Sequence, residues 1–160
     1  MSETLRQTIR EAFADVTLGS GIGLRQAQGI DDYEPSSVCA RLRAQDEKED
    51  WSKISCDDLN RCHSSLSFFD PEGMRFHLPA FLIAELRGLY RFGMVFCLSH
   101  LNEHTIGQFA LLTPSQRLAV RAFLLLAAES EAYKFDRPHI LRALEEYWVI
   151  PDQPSTDSNS

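Results

Sequence analysis

The sequence predicts a mainly α-helical domain with a minor β component (an α+β minority element). About six helices are expected, with one small β-hairpin near residues 66–78. Three observations predict this fold class. Apolar residues recur at helical spacing in both halves of the chain, helix-start signals precede several of these runs, and one strong turn signal separates two short apolar runs.

The 160 residues predict one domain, spanning residues 1–150. A chain of this length buries enough surface to fold without a disulfide or a bound metal. Residues 151–160 contain two prolines, three serines and no hydrophobic residue, so we expect a disordered C-terminal tail.

The first half of the chain contains three predicted helices. Leu5, Ile9 and Phe13 lie on one face of an amphipathic helix over residues 3–16, which a glycine-rich segment ends. That segment, residues 19–23, is not a phosphate-binding loop, because no Gly-Lys-Ser/Thr follows it and no apolar strand precedes it. Shorter helices are expected over 24–34 and 36–50.

Two further elements are predicted in the middle of the chain. Ser55 is an N-cap residue for a helix that runs to about residue 65. The segment Asp70-Pro-Glu-Gly73 then suits a type I turn followed by a residue with positive φ, which predicts the β-hairpin.

The second half predicts three longer helices. Pro79 suits the first position of a helix that is apolar nearly all round and therefore central in the core. Met94–Leu98 is ambiguous between strand and helix, and residues 99–112 are expected to form a connector with a little local structure. Thr113 begins a capping box with proline at the first helical position, predicting a helix to about residue 132, and Asp136 precedes the last helix.

The charge of the chain limits its partners. The net charge of −7 is a poor electrostatic match for nucleic acid or an anionic membrane surface. Most of that charge lies in residues 31–58, which contain nine acidic and four basic residues. Two interpretations stay open for this segment: a solvated face of the domain, or a docking surface for a basic partner.

The sequence also predicts a cytoplasmic protein with reduced thiols. Its first residues lack the basic and apolar layout of a secretion signal. The apolar stretch Pro79–Leu98 is interrupted by Glu85, Arg87 and Arg91, which favours a buried helix over a membrane span. No cofactor is expected.

The cysteines do not suggest a metal site. Cys56, Cys62, His63 and His77 do not have the spacing of zinc ligands. Cys97 lies within an apolar run, which predicts an unreactive core thiol.

The predicted hairpin carries a cluster of polar residues. Asp70, Glu72, Arg75 and His77 could perform general acid–base chemistry, with Glu72 or His77 as the proton carrier. Turn hydrogen bonds and a charge pair explain most of the same residues structurally.

Two arginines lie on the apolar helix that follows. Arg87 and Arg91, if buried, require acidic partners from another element, or they bind an anion.

Residues 68–80 read Phe-Phe-Asp-Pro-Glu-Gly-Met-Arg-Phe-His-Leu-Pro-Ala. This segment resembles the motif Phe-x-x-Pro-Glu-Gly-x-Arg-Phe-x-Leu-Pro-Ala of a family of small bacterial proteins of unknown function. Trp51 and the segment Leu112–Arg117 also match that family's pattern, so the resemblance covers roughly residues 5–148. His77 stands where the family pattern leads us to expect tyrosine. The resemblance implies a bacterial source and no established activity.

The favoured hypothesis is a small acidic protein-binding domain, with no enzymatic activity, that recognises another protein. One form of such a protein is an immunity or antitoxin protein that blocks a basic bacterial toxin. The predicted docking residues are Asp46, Glu47, Glu49 and Asp50.

Two alternatives stay open. The first is an enzyme with a site formed by the hairpin and the helix after it, at Glu72, Arg75, His77, Arg87 and Arg91. The second is a structural domain that associates with itself.

Overall fold

A computed structural model describes residues 2–150 of the chain. This part of the chain forms nine α-helices and contains no β-strand. The mainly α-helical class is therefore confirmed, with more helices than the six expected. The predicted C-terminal tail lies outside the described residues.

The α-helices are numbered in chain order. They are α1 (Ser2–Ala12), α2 (Leu24–Asp31), α3 (Ser36–Gln45), α4 (Cys56–Arg61), α5 (Pro71–Leu86), α6 (Val95–Ser99), α7 (Glu103–Gln108), α8 (Pro114–Glu129) and α9 (Arg137–Glu146). Three 3₁₀ turns lie between them, at Trp51–Lys53, His63–Ser67 and Glu131–Tyr133.

Helix α5 is the central element of the core. It is buried from Gly73 to Ala84, apart from a partly exposed Arg75, and it contacts α1, α4 and α7. Phe81 and Leu82 have no exposed surface. Burying a side chain of this size contributes about 1.5–3 kcal/mol to stability. The predicted central position of an apolar helix is thus confirmed.

The predicted β-hairpin at residues 66–78 is wrong. Asp70 is instead the N-cap of α5, where its Oδ1 accepts a hydrogen bond from the backbone N–H of Gly73 at 2.9 Å. Pro71 occupies the first helical position. Asp-Pro suits both a type I turn and a helix start, and the apolar residues that follow complete the helix because they have a core to pack into.

The predicted helix start at Pro79 is also wrong. Pro79 does not begin a helix but lies inside α5, where it removes one backbone hydrogen bond that the burial of the helix offsets. The segment that was ambiguous between strand and helix forms α6 (Val95–Ser99), and the short helix α7 is the local structure within the expected connector.

The capping box at Thr113 is confirmed. The Thr113 side chain accepts from the backbone N–H of Gln116, and the Gln116 side chain accepts from the backbone N–H of Thr113. Helix α8 begins there and packs against α1 and α9. Trp148, fully buried after α9, donates a hydrogen bond from its indole to the carbonyl of Leu98.

Helices α2 and α3 pack against each other and are joined by a short loop, residues 32–35. Helix α2 packs against α3 on one side and against the 3₁₀ turn His63–Ser67 on the other. Within residues 2–150, no helix combines the length and the apolar character needed to cross a bilayer.

Candidate binding surface

Helix α2 ends in an unusual backbone conformation at Tyr33. The backbone N–H of Tyr33 donates to the carbonyl of Ile30, and that of Glu34 donates to the carbonyl of Gly29. These two bonds form the helix ending that normally places glycine in the left-handed region. Tyr33 occupies that position with φ of 58°, and it is the one non-glycine residue with positive φ among residues 2–150.

The Tyr33 side chain makes little contact with the rest of the domain. Its exposed fraction is 96%, so the ring adds almost nothing to the core. A left-handed conformation costs a residue with a side chain about 1–2 kcal/mol. Folding alone therefore does not explain a tyrosine here, and such outliers often occur at functional sites.

Acidic residues surround Tyr33. Asp31 is the last residue of α2, Asp32 is its C-cap and Glu34 follows Tyr33. The Gln28 side chain donates to Asp31 and Asp32, both at 3.3 Å. Negative charge at a helix C-terminus opposes the helix dipole, at a cost of about 0.3–1 kcal/mol per group. We call Asp31, Asp32, Tyr33 and Glu34 the Tyr33 surface.

A shallow groove adjoins the Tyr33 surface. It lies between α2 and α3, has a volume of about 620 Å³ and includes Ile30, Cys39 and Ala40 among its lining residues. Ile30 is 36% exposed, so the groove presents an apolar floor next to the acidic rim. An apolar centre with a charged rim is the usual layout of a protein interface.

The four predicted docking residues are not all on the surface. Asp46 is buried, and its carboxylate accepts hydrogen bonds from the backbone N–H groups of Arg25 (2.8 Å) and Gln26 (3.1 Å) at the start of α2. Asp50 caps the turn Trp51–Lys53 by accepting from the backbone N–H and hydroxyl of Ser52, and these bonds lower its pKa. The carboxylates of Asp46 and Asp50 therefore stabilise the local backbone.

The other two docking residues are accessible. Glu49 is exposed and Glu47 is half-buried, close to the α2 N-terminus that Asp46 caps. The Tyr33 surface lies at the opposite end of α2. Glu47 and Glu49 are thus near the N-terminal end of this helix, and the acidic residues of the Tyr33 surface are at its C-terminal end.

The segment 19–23 is held by the two carboxylates at the start of α5. Asp70 accepts from the backbone N–H of Ile22 at 2.9 Å. Glu72 accepts from the backbone N–H and the hydroxyl of Ser20, both at 3.1 Å to Oε2. The backbone N–H groups of a glycine-rich loop can bind an anion. In this chain the bound anions are the carboxylates of Asp70 and Glu72.

Close packing completes this contact. A Cβ on Gly73 would lie 2.6 Å from the carbonyl oxygen of Ile22, and a Cβ on Gly21 would lie 2.8 Å from the backbone nitrogen of Gly73. The Pro-Glu-Gly part of the motif therefore joins a loop to a helix start. We call Ser20, Ile22, Asp70, Glu72 and Gly73 the loop clasp.

Arg75 and His77 do not join Asp70 and Glu72 in an open site. His77 is fully buried, its Nδ1–H donates to the carbonyl of Gly73 at 2.6 Å, and its ring stacks on Phe69 at 4.2 Å. Burial lowers the pKa of His77 to about 4. Nε2 of His77 and Nε of Arg75 are buried without a hydrogen-bond partner among the described residues.

A family model described as a family of unknown function, DUF6714, matches residues 1–151 of the chain. The chain belongs to this family. The resemblance inferred from the sequence is thereby confirmed at the level of the family. No curated protein and no solved structure matches the chain.

In this DUF6714 chain, Arg87 and Arg91 are exposed and need no buried acid. Glu85 of α5 is half-buried, and it accepts hydrogen bonds from the Tyr133 hydroxyl and from the backbone N–H of Met94 at 3.0 Å. Burial raises the pKa of Glu85. The backbone N–H of Arg91 donates to the side chain of Asn60, which fixes the loop after α5.

The four cysteines are free thiols. Burial raises the pKa of Cys97 to about 12, and burial also raises the pKa of Cys62. Among residues 2–150, no group of three or more histidine, cysteine or acidic side chains is placed to hold a metal ion.

Sequence reasoning missed Tyr33. The signal was present as Asp-Asp-Tyr-Glu-Pro, residues 31–35, where a helix end that favours glycine carries an aromatic residue between acids.

Proposed function

We propose that this chain is a binding protein for a basic protein partner, and that Tyr33 is the central contact. The observation that carries the proposal is the exposure of Tyr33 in a backbone conformation that favours glycine. Tyrosine is enriched among the residues that dominate binding energy in protein interfaces.

The stability cost of this helix end supports the proposal. Tyr33 carries backbone strain, and Asp31 and Asp32 oppose the dipole of α2. The three consecutive residues Asp31, Asp32 and Tyr33 therefore each lower the stability of the fold. Glycine at position 33 and uncharged residues at 31 and 32 would give a more stable helix end. Sites that bind a partner commonly retain such costs because the interaction needs those side chains.

The negative charge and the aromatic ring of the Tyr33 surface favour a basic protein as the partner. Three carboxylates within four residues attract lysine and arginine side chains and accelerate encounter with a basic protein. The Tyr33 ring offers its face to a cation or its edge to an apolar residue. The groove over Ile30 then accepts an apolar side chain of the partner.

An immunity or antitoxin protein is the specific form of this function that we propose. Such a protein binds a basic toxin and covers its active site, which requires an acidic surface and no catalytic group of its own. The net charge of −7 agrees with this role.

A pull-down from the native host at low salt tests the proposal, with mass spectrometry of the captured protein. Wild type should retain one basic partner, and Tyr33→Ala should lose at least about 2 kcal/mol of affinity, as expected for a hot-spot residue. Phe135→Ala is the matched control because Phe135 is also an exposed aromatic residue, at 85%.

A second experiment reverses the charge of two residues of the Tyr33 surface. Asp31→Lys with Asp32→Lys should abolish capture, whereas Glu131→Lys, which changes an 84% exposed side chain elsewhere, should not. Raising the salt tenfold should weaken capture because rim charges are screened. Retention of the partner by Tyr33→Ala, or capture of nothing but a second copy of the chain, would reject the proposal.

A further inference from the structure

The outward side of α8 carries apolar side chains that the domain does not cover. Leu118 is 43% exposed and Leu125 is 46% exposed, and the smaller Ala122 lies half-buried between them. Their spacing of four and then three residues is that of the contact line between two packed helices. Ser115 and Glu129 continue this line to the two ends of α8. We call these five residues the α8 face.

A shallow groove adjoins the α8 face, between α1 and α8. It has a volume of about 360 Å³. None of its five lining residues carries a charge, and they are Thr4, Leu5, Thr8, Ala122 and Leu126. Exposed apolar surface beside such a groove is typical of a place where another protein associates.

The absence of charge along the centre of the α8 face favours a second copy of the chain as the occupant. Two copies that each carry a net charge of −7 repel each other, so they associate only through an uncharged surface. We propose that the α8 faces of two copies pack against each other, antiparallel, around a twofold axis at Ala122. In such a dimer the same surface serves both copies.

The antiparallel arrangement places matching residues opposite each other. With Ala122 on the axis, the residue four positions before it in one copy faces the residue four positions after it in the other. Leu118 of one copy therefore faces Leu126 of the other and enters the groove that Leu126 lines. Alanine at the centre lets the two helices approach closely, because the distance between packed helices depends on the side chains at their contact.

Glu129 determines the orientation. It lies in the last turn of α8, where the helix dipole disfavours a negative charge, and it forms no ion pair within residues 2–150. In the antiparallel pair Glu129 faces Ser115 of the second copy, at the end of α8 where the dipole favours an acid. A parallel pair would bring the two Glu129 carboxylates together instead.

The size of the surface predicts a weak dimer. Helix α8 has 16 residues, which gives a length of about 24 Å, and together with α1 it is about 20 Å wide. Each copy therefore contributes on the order of 500 Å², and the total of about 1,000 Å² is at the lower end for a specific interface. We expect a dissociation constant in the micromolar range. The contact uses no residue of the Tyr33 surface, so it is independent of the proposed basic partner.

Sedimentation equilibrium of the full chain, from low to high micromolar concentration, provides the first measurement. Wild type should change from monomer to dimer over this range. Leu125→Lys should weaken the dimer at least about tenfold, because the twofold axis places two lysines in an apolar contact. Leu141→Lys is the matched control, since Leu141 is an exposed leucine of α9, at 51%, and it should behave as wild type. Denaturant unfolding should show that both variants are folded.

Disulfide formation tests the position of the axis. Ala122→Cys should form a linked dimer under mild oxidation, because the two copies of residue 122 face each other. Leu118→Cys should stay unlinked, because its two copies lie about 12 Å apart along the helix, beyond the reach of a disulfide. Ala44→Cys, at an exposed alanine of α3, and wild type, whose cysteines are free thiols, are the controls and should also stay unlinked.

Three results would overturn the proposal. A wild-type chain that stays monomeric at high micromolar concentration excludes the dimer. A dimer that persists unchanged in Leu125→Lys shows that the copies meet through another surface. Linking of Leu118→Cys as readily as Ala122→Cys excludes the antiparallel arrangement.

Discussion

The carboxylate of Asp46 lies against Gly23, on the side where any other residue would carry its side chain. A Cβ on Gly23 would overlap Oδ2 of Asp46. From this position Asp46 accepts the backbone N–H groups of Arg25 and Gln26, the free donors at the start of α2. Burial raises the pKa of Asp46, while these hydrogen bonds oppose the rise.

Asp46→Ala should lower the free energy of unfolding by about 1–2 kcal/mol, the usual effect of losing a helix cap. Gly23→Ala should also destabilise the protein because the new methyl group displaces the carboxylate. Glu49→Ala is the control, since an exposed residue changes stability within about 0.5 kcal/mol. Denaturant unfolding measures all three, and equal stability of Asp46→Ala and wild type would contradict the capping role.

Close packing at the loop clasp predicts that alanine substitutions at two helical glycines change stability in opposite directions. Gly73→Ala should lower the free energy of unfolding by about 1–3 kcal/mol, because its Cβ would lie 2.6 Å from the carbonyl of Ile22 and 2.9 Å from Asp70. Gly107→Ala should raise it by up to about 1 kcal/mol, because Gly107 is in helix α7 with open space around it.

Thermal unfolding of both variants measures the difference. The comparison separates crowding at the clasp from the general effect of alanine in a helix, which is the same at both positions. Equal stabilisation by both substitutions would mean that the loop does not pack closely against the start of α5.

The sequence predicted the helices whose apolar residues and start signals agree. Thr113 is an example, because its capping box leads directly into the apolar face of α8. The error at Asp70 arose because aspartate before proline suits both a turn and a helix N-cap, and local sequence does not decide between them. Only the core around α5 favours the helix.

The candidate site was less predictable than the fold. Composition identified residues 31–58 as acidic but did not distinguish Asp46, which is turned inward to cap α2, from Asp31, which lies at the far end of that helix. That distinction depends on how α2 and α3 pack together. Similarly, the proximity of Glu72 to Ser20 joins residues 52 positions apart, which no local pattern reveals.

Burial of His77 predicts loss of stability in acid. Its pKa is lowered from 6.5 to about 4 in the folded chain, so the unfolded chain binds more protons between these values. Stability is therefore fully present above about pH 6.5 and falls as the pH decreases toward 4. Through His77 alone, the free energy of unfolding should fall by roughly 3 kcal/mol between pH 7 and pH 4.

His77→Phe should remove this dependence, because phenylalanine keeps a ring against Phe69 but does not titrate. Denaturant unfolding of both proteins across this pH range gives the measurement. Asp46 and Glu85, whose pKa values are raised, contribute with the opposite sign, but equally in both proteins. A constant difference between the two curves would show that His77 does not titrate as its burial predicts.

Tyr33→Gly should make the protein more stable. Glycine adopts a φ of 58° without the side-chain clash, so the free energy of unfolding should rise by about 1 kcal/mol. Tyr33→Ala should change stability little, because alanine keeps the backbone strain and the lost ring is 96% exposed. Chemical denaturation of the two variants beside wild type measures both effects.

The pair of variants also separates strain from recognition. If Tyr33 is retained for a partner, both substitutions weaken partner capture equally, although one protein is more stable than wild type and the other is not. Loss of binding then follows the ring rather than the stability of the helix end. A destabilised Tyr33→Gly would instead show that the ring supports the fold, and the argument for a binding role at this position would fail.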